Sequence, residues 1–180
     1  MTRLDLIVRN RINSAKYAKN QKELSSILSD LVNSLNFAME KRHKHVLLQA
    51  RTAIKGIKSI SKDMNNDMVF MCGQYAALIN NMVDIHRHNI QMDSIHEIMS
   101  AQTSQTIAKY LWFNKCSERE KVLLDTKLSK DLFDTYIDEM IALKLIRDDV
   151  GPDCEWVELS ADGYTYMRRY YFEKEGFKTW

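Results

Sequence analysis

The sequence predicts a mainly α-helical chain. An N-terminal helical bundle or helical hairpin is followed by a second unit of short helices with one small β-hairpin. Three observations point there. Apolar residues recur at helical spacing along most of the chain. Five Gly and a single Pro in 180 residues supply few turns, and strand-rich folds need many. Strand patterning is confined to one stretch, Leu145 to Leu159, interrupted by Gly151-Pro152-Asp153. A composition of 45% hydrophobic and 28% charged residues is that of a soluble globular protein. No apolar run approaches the ~20 residues that span a bilayer, so no membrane association is expected.

Taken in order, Leu4, Val8, Ile12 and Ala15 define the inward face of a first amphipathic helix. Asn20-Gln21-Lys22-Glu23 can cap a second, whose stripe is Leu24, Leu28, Leu31, Leu35 and Ala38. The period resumes after Glu40-Lys41-Arg42-His43-Lys44-His45 with Val46, Ala50, Ala53/Ile54, Ile57, Ile60 and Met64. Its phase roughly holds across that polar patch, so one long helix or two both fit. Met68, Cys72, Tyr75, Ile79, Met82 and His86 form a further stripe. Ser94-Ile95-His96-Glu97 has capping-box form and predicts a new helix start. Ile107, Ala108, Leu111 and Trp112 belong to the helix that opens the second unit. The expected division is a basic helical region over 1–100 and a second domain over 101–180. Helices of this length need a partner face, so the first region is expected to bundle or to dimerise.

In the second domain, Ser117-Glu118-Arg119-Glu120 has capping-box form, and a short helix is expected from there to about Thr126. Leu128-Ser129 supplies a turn and another N-cap, and Phe133, Ile137, Met140 and Ile141 then fall at helical spacing. Leu145-Ile146 starts a strand, Trp156-Val157-Glu158-Leu159 returns, and Ser160 caps a last helix from Ala161. Val122, Leu128-Ser129, Phe133, Ile137, Met140, Leu143, Leu145-Ile146 and Leu159-Ser160-Ala161-Asp162-Gly163 together carry a resemblance. Residues 104–172 resemble the winged helix-turn-helix superfamily, in particular its MarR-like and ArsR-like bacterial regulators. The resemblance implies a transcription-regulator-like protein, DNA-binding and dimeric, whose second motif helix enters the major groove.

Charge argues against ordinary docking of that helix. Residues 1–63 hold 13 Lys/Arg against 5 Asp/Glu, whereas the remaining 117 hold 13 against 19. Between Ser117 and Gly163 the count is 6 against 13. On the resemblance, the groove-facing positions are Lys130, Asp131, Asp134, Thr135 and Asp138, and the wing offers Arg147 among acids. Duplex affinity comes largely from neutralising phosphates, which such a surface repels. The better candidates are Lys41, Arg42, Lys44, Arg51, Lys55 and Lys58. Of these, Arg51, Lys55 and Lys58 share one helix side at i, i+4 and i+7. A solvated helix face is the bland reading of that stripe. The expected function is thus a winged-helix regulator associated with nucleic acid through its basic N-terminal helices. The alternative is a protein-interaction module whose acidic face, Asp131, Asp134 and Asp138, docks a basic partner.

No enzyme class is supported: the sequence has no Gly-rich phosphate loop and no Cys-x-x-Cys, and no cofactor is expected. His86-Arg87-His88 with His96 and Asp84 or Asp93 is the best metal candidate. Side chains two apart on a helix diverge by about 200°, so that site needs a loop near Asn89. His43-Lys44-His45 has the same defect, and no metal is expected. Cys72 reads as a core residue, and Cys116, beside the Ser117 cap, as a thiol whose pKa a helix N-terminus can lower. With Cys154 these are three unpaired-looking cysteines, which suggest a reducing, cytoplasmic compartment. Arg3, Arg9, Arg11 and Lys16 faintly resemble a transit peptide, but an amphipathic first helix is the preferred reading. The Met-rich run Met64, Met68, Met71, Met82, Met92 and Met99 reads as core filler, an adaptable effector pocket being the alternative. Tyr164, Tyr166, Tyr170, Tyr171, Phe172, Phe177 and Trp180 suggest an aromatic C-terminal tail packed on the body or on a second subunit.

Overall fold

A computed structural model describes residues 2–150 and 154–172. The protein is mainly helical with a small three-stranded antiparallel sheet. It divides into two compact units, Met1–Asn89 and Ile90–Trp180, with the division inside one helix. The sequence placed this junction near residue 100.

The first unit holds α1 (Arg3–Lys16), α2 (Gln21–Glu40), α3 (Val46–Ile60) and the first part of α4 (Asn66–Ser100). Thr2 and Asp5 close a reciprocal capping box at the start of α1, and Asn20 caps α2 by accepting from the Glu23 amide at 3.0 Å. The predicted stripes form the core: Leu4, Val8 and Ala15 meet Leu24, Leu28, Leu31 and Leu35, with Ala50, Ala53 and Ile57 from α3. Met68, Cys72, Ile79 and Val83 complete it from α4. Gly56 is where α1 and α3 approach closely, since a Cβ there would meet Ile12 Cγ2 at 2.9 Å. Tyr75 ties α4 to α2, its hydroxyl lying 2.7 Å from Ser29 Oγ and 3.0 Å from Ser25 Oγ.

Residues 20–62 form two helices. At the end of α2, the His43 amide donates to Ala38 O at 2.9 Å and the Arg42 amide to Met39 O at 3.0 Å. This is a Schellman closure, with Arg42 in the left-handed region (φ 51°) that glycine usually fills. His45, also left-handed (φ 68°), restarts the chain into α3.

One predicted helix start does not occur, and one predicted capping box does not form although its helix does. Ser94 sits inside α4 and donates to Ile90 O, so its capping-box pattern is incidental. Asn65 caps that helix instead, accepting from the Met68 amide at 3.0 Å. Ser117 lies in β1 (Ser117–Glu118) and is buried, while the expected short helix, α6 (Arg119–Thr126), has Glu118 at its N-cap position with no side-chain cap. Pairing of Ser117 with Val157, forty residues away, overrides the local cap. Ser129 does hold the N-cap position of α7 (Lys130–Ala142), but its hydroxyl makes no capping bond.

The second unit runs α5 (Gln102–Asn114), β1, α6, α7, β2 (Ile146–Val150), β3 (Glu155–Leu159) and α8 (Ala161–Tyr166), followed by a π-helical turn over Met167–Phe172. The sheet order is β1-β3-β2, all antiparallel. Gly151-Pro152-Asp153, the predicted turn, lies outside the described residues. Ile95, Met99, Ile107, Leu111, Val122, Phe133, Ile137, Met140, Leu145, Val157 and Leu159 make one core. α7 ends in a second Schellman closure, the Leu145 amide donating to Met140 O and the Lys144 amide to Ile141 O, both at 2.8 Å. Lys144 takes the left-handed φ of 62°. Ser160 caps α8 by accepting from the Gly163 amide at 3.0 Å, and its own amide donates to Leu145 O. Gly163 is held so close to the Leu145 carbonyl that a Cβ would overlap it. Tyr164 stacks obliquely on Trp112, and Met167 is buried; Phe177 and Trp180 lie outside the described residues.

Candidate functional site

Two surfaces carry the charge asymmetry. The first is α3, which has no acidic residue over Val46–Ile60. Its apolar face goes to the core, which leaves Arg51, Lys55 and Lys58 exposed on the other side. None of the three is in an ion pair among the described residues. Lys41, Arg42 and Lys44 are exposed on the α2–α3 corner, with the Lys41 ammonium 5.9 Å from the centre of the Phe37 ring.

The second is the outer side of α7. Lys130, Asp131, Thr135 and Asp138 are exposed and Asp134 is half-buried. Arg119, at the start of α6, reaches across and gathers the carboxylates: Nη2 lies 3.0 Å from Asp134 and 2.9 Å from Asp138, and Nη1 lies 3.7 Å from Glu155. Burial alone would lower the pKa of this guanidinium. The hydrogen bonds to Asp134 and Asp138 outweigh that effect and raise it. Arg147 on β2 faces Glu158 on β3 at 3.8 Å, and Thr135 donates to Asp131 O. A cavity of about 890 Å³ opens between α6, α7 and the start of β3. Glu118, Glu120, Asp134, Asp138 and Glu155 line it against Arg119 and Lys130, with Leu123, Leu124 and Phe133 as the apolar part. Sequence reading missed Arg119, because its partners lie 15 and 19 residues away on another helix.

The remaining candidates separate. Asn89 is inside α4, so the loop needed to bring His86 and His88 together does not form. His86 is buried and His96 is 2.9 Å from the Tyr166 hydroxyl. Among the described residues no group of three His, Cys, Asp or Glu side chains is arranged to hold a metal ion. Cys72 is buried, and that burial raises its pKa. Cys116 is also raised, by desolvation and then by the carboxylates of Glu158 and Asp149, the opposite of the expected helix-terminus effect. No described helix is long and apolar enough to cross a membrane.

No family model, no characterised protein and no solved structure matches the chain.

Proposed function

We propose that the protein is a winged-helix regulator associated with nucleic acid, and that it touches the duplex with α3 and the α2–α3 corner rather than with α7. The winged-helix part of this reading draws support from the order α5-β1-α6-α7-β2-β3 and the sheet order β1-β3-β2. The observation that carries the nucleic-acid part is the row Arg51, Lys55 and Lys58, exposed on a helix without acids. The row spans roughly 10 Å along the helix axis, and one strand of a duplex presents about three phosphates over that length. α7 offers the reverse: its outward carboxylates are repelled by phosphate, its own Lys130 stands next to Asp131, and the neighbouring Arg119 is committed to Asp134 and Asp138. A homodimer is part of the proposal, and sedimentation at micromolar concentration tests it.

Titration of a random duplex at several salt concentrations tests the nucleic-acid reading. Each neutralised phosphate contributes about −0.9 to the log–log salt slope. Changing Arg51, Lys55 and Lys58 together to Ala should therefore flatten the slope by about 2.7. No binding at low salt, or loss only on Lys130/Thr135/Arg147→Ala, would overturn it.

The acid-lined cavity beside α7 favours a second reading, in which this face docks a basic protein segment. Leu124, 74% exposed among carboxylates, is the apolar anchor point. An Arg/Leu-rich peptide should bind the wild type and lose affinity on Leu124→Ser and Glu155→Lys.

A further inference from the structure

We infer that a cavity of the first unit binds a small amphiphilic organic anion, a carboxylate on an apolar body. The cavity, about 640 Å³, lies between the start of α1, the end of α2 and the corner that follows it. That volume is in the range of sites for small organic molecules. α1 supplies Leu4 and Ile7 and α2 supplies Phe37 and Ala38 as the apolar part of the lining, with Asn33 and Ser34 of α2 as neutral polar neighbours. Phe37 is 58% exposed, an aromatic side chain that the fold leaves uncovered and a ligand would cover.

The rim is cationic. Arg3 and Lys44 supply the charge, His43 lines the rim beside them, and no carboxylate does so among the described residues. The nearby acids on α1 and α2 each have a partner, Asp5 on Thr2 at the cavity's edge and the other two away from it. Asp5 accepts from the Thr2 amide, Asp30 pairs with Arg11 at 3.2 Å, and Glu40 accepts from Asn36. Arg3, His43 and Lys44 make no ion pair among the described residues.

The corner that places His43 and Lys44 there is held in left-handed conformations at Arg42 and His45, neither of them glycine. The cavity thus joins an apolar body site to a head-group site of one sign. That combination selects an organic anion over a neutral or cationic analogue.

Calorimetric titration with decanoate, decanol and acetate, with amide NMR shifts as a second readout, tests the site in the absence of nucleic acid. The outcome is therefore independent of the regulator reading. Decanoate should bind and shift amides around Leu4, Phe37 and Lys44, with decanol weaker by about tenfold or more and acetate silent. Arg3→Ala with Lys44→Ala should weaken decanoate by about tenfold or more, and Phe37→Ser should weaken decanoate and decanol alike. Lys121→Ala, on the second unit, should change nothing. Failure of decanoate to bind, equal affinity for decanol, or indifference to the Arg3/Lys44 pair of substitutions would each overturn the assignment.

Discussion

Arg119 Nη2 lies 2.9 Å from a carboxylate oxygen of Asp138, and the same nitrogen reaches Asp134 at 3.0 Å. One guanidinium therefore links α6 to α7 and offsets part of the negative charge that the sequence alone assigns to the outer face of α7. Its side chain is only 21% exposed and stacks over Phe133, so it also packs. Replacement by Ala should lower the unfolding free energy by about 1–2 kcal/mol, a figure discounted for the exposure of its partners. Lys at this position should recover only part of that loss, since it cannot span two carboxylates with a planar fork. Urea unfolding of the two variants is the check.

Gly163→Ala should destabilise more. The added methyl would overlap the Leu145 carbonyl, a backbone group that cannot rotate away, and Leu159 Cδ2 crowds the same point at 3.2 Å. Overpacking against backbone at the junction of α7, β2 and α8 is expected to cost about 2–3 kcal/mol. A midpoint unchanged within error would mean that α8 does not sit on the Leu145 turn as described.

Asp5 gives a pH prediction. Its carboxylate accepts hydrogen bonds from the Thr2 amide and hydroxyl, which hold its pKa below the ordinary value of 3.8. A depressed carboxylate pKa means that the unfolded state binds the proton more readily. The stabilisation is present above pH 3.8 and is lost as pH falls through the lower folded-state value. An NMR titration of Asp5 should show a midpoint under 3.8, and Thr2→Val should move it upward.

The helical part of this architecture was legible because Leu24, Leu28, Leu31 and Leu35, like Phe133, Ile137 and Met140, repeat a period that only a helix converts into one buried face. The Ser160 cap was legible for a different reason, because an N-cap depends on residue type, whereas the close approach of Gly163 to the Leu145 carbonyl needed the tertiary fold. The corner between α2 and α3 was not legible, because Arg42 and His45 take left-handed angles without the glycine that would signal them. Ser94 and Ser117 misled for a shared reason. A Ser followed three residues later by Glu or Gln is a local pattern, and both places are governed by longer structure, a continuous α4 in one case and the β1–β3 ladder in the other. The exposed row on α3 could be read from spacing alone. Arg119 with its three carboxylates needed the tertiary fold, as did the cavity beside Phe37, whose walls come from separate helices.

The central claim is that phosphate meets α3 and not α7. Amide hydrogen exchange with and without a random duplex at low salt tests it most directly. The account predicts new protection over Val46–Ile60 and the 41–45 corner, with Lys130–Ala142 unchanged. Protection centred on Lys130–Ala142, with α3 exchanging as in the free protein, would contradict it.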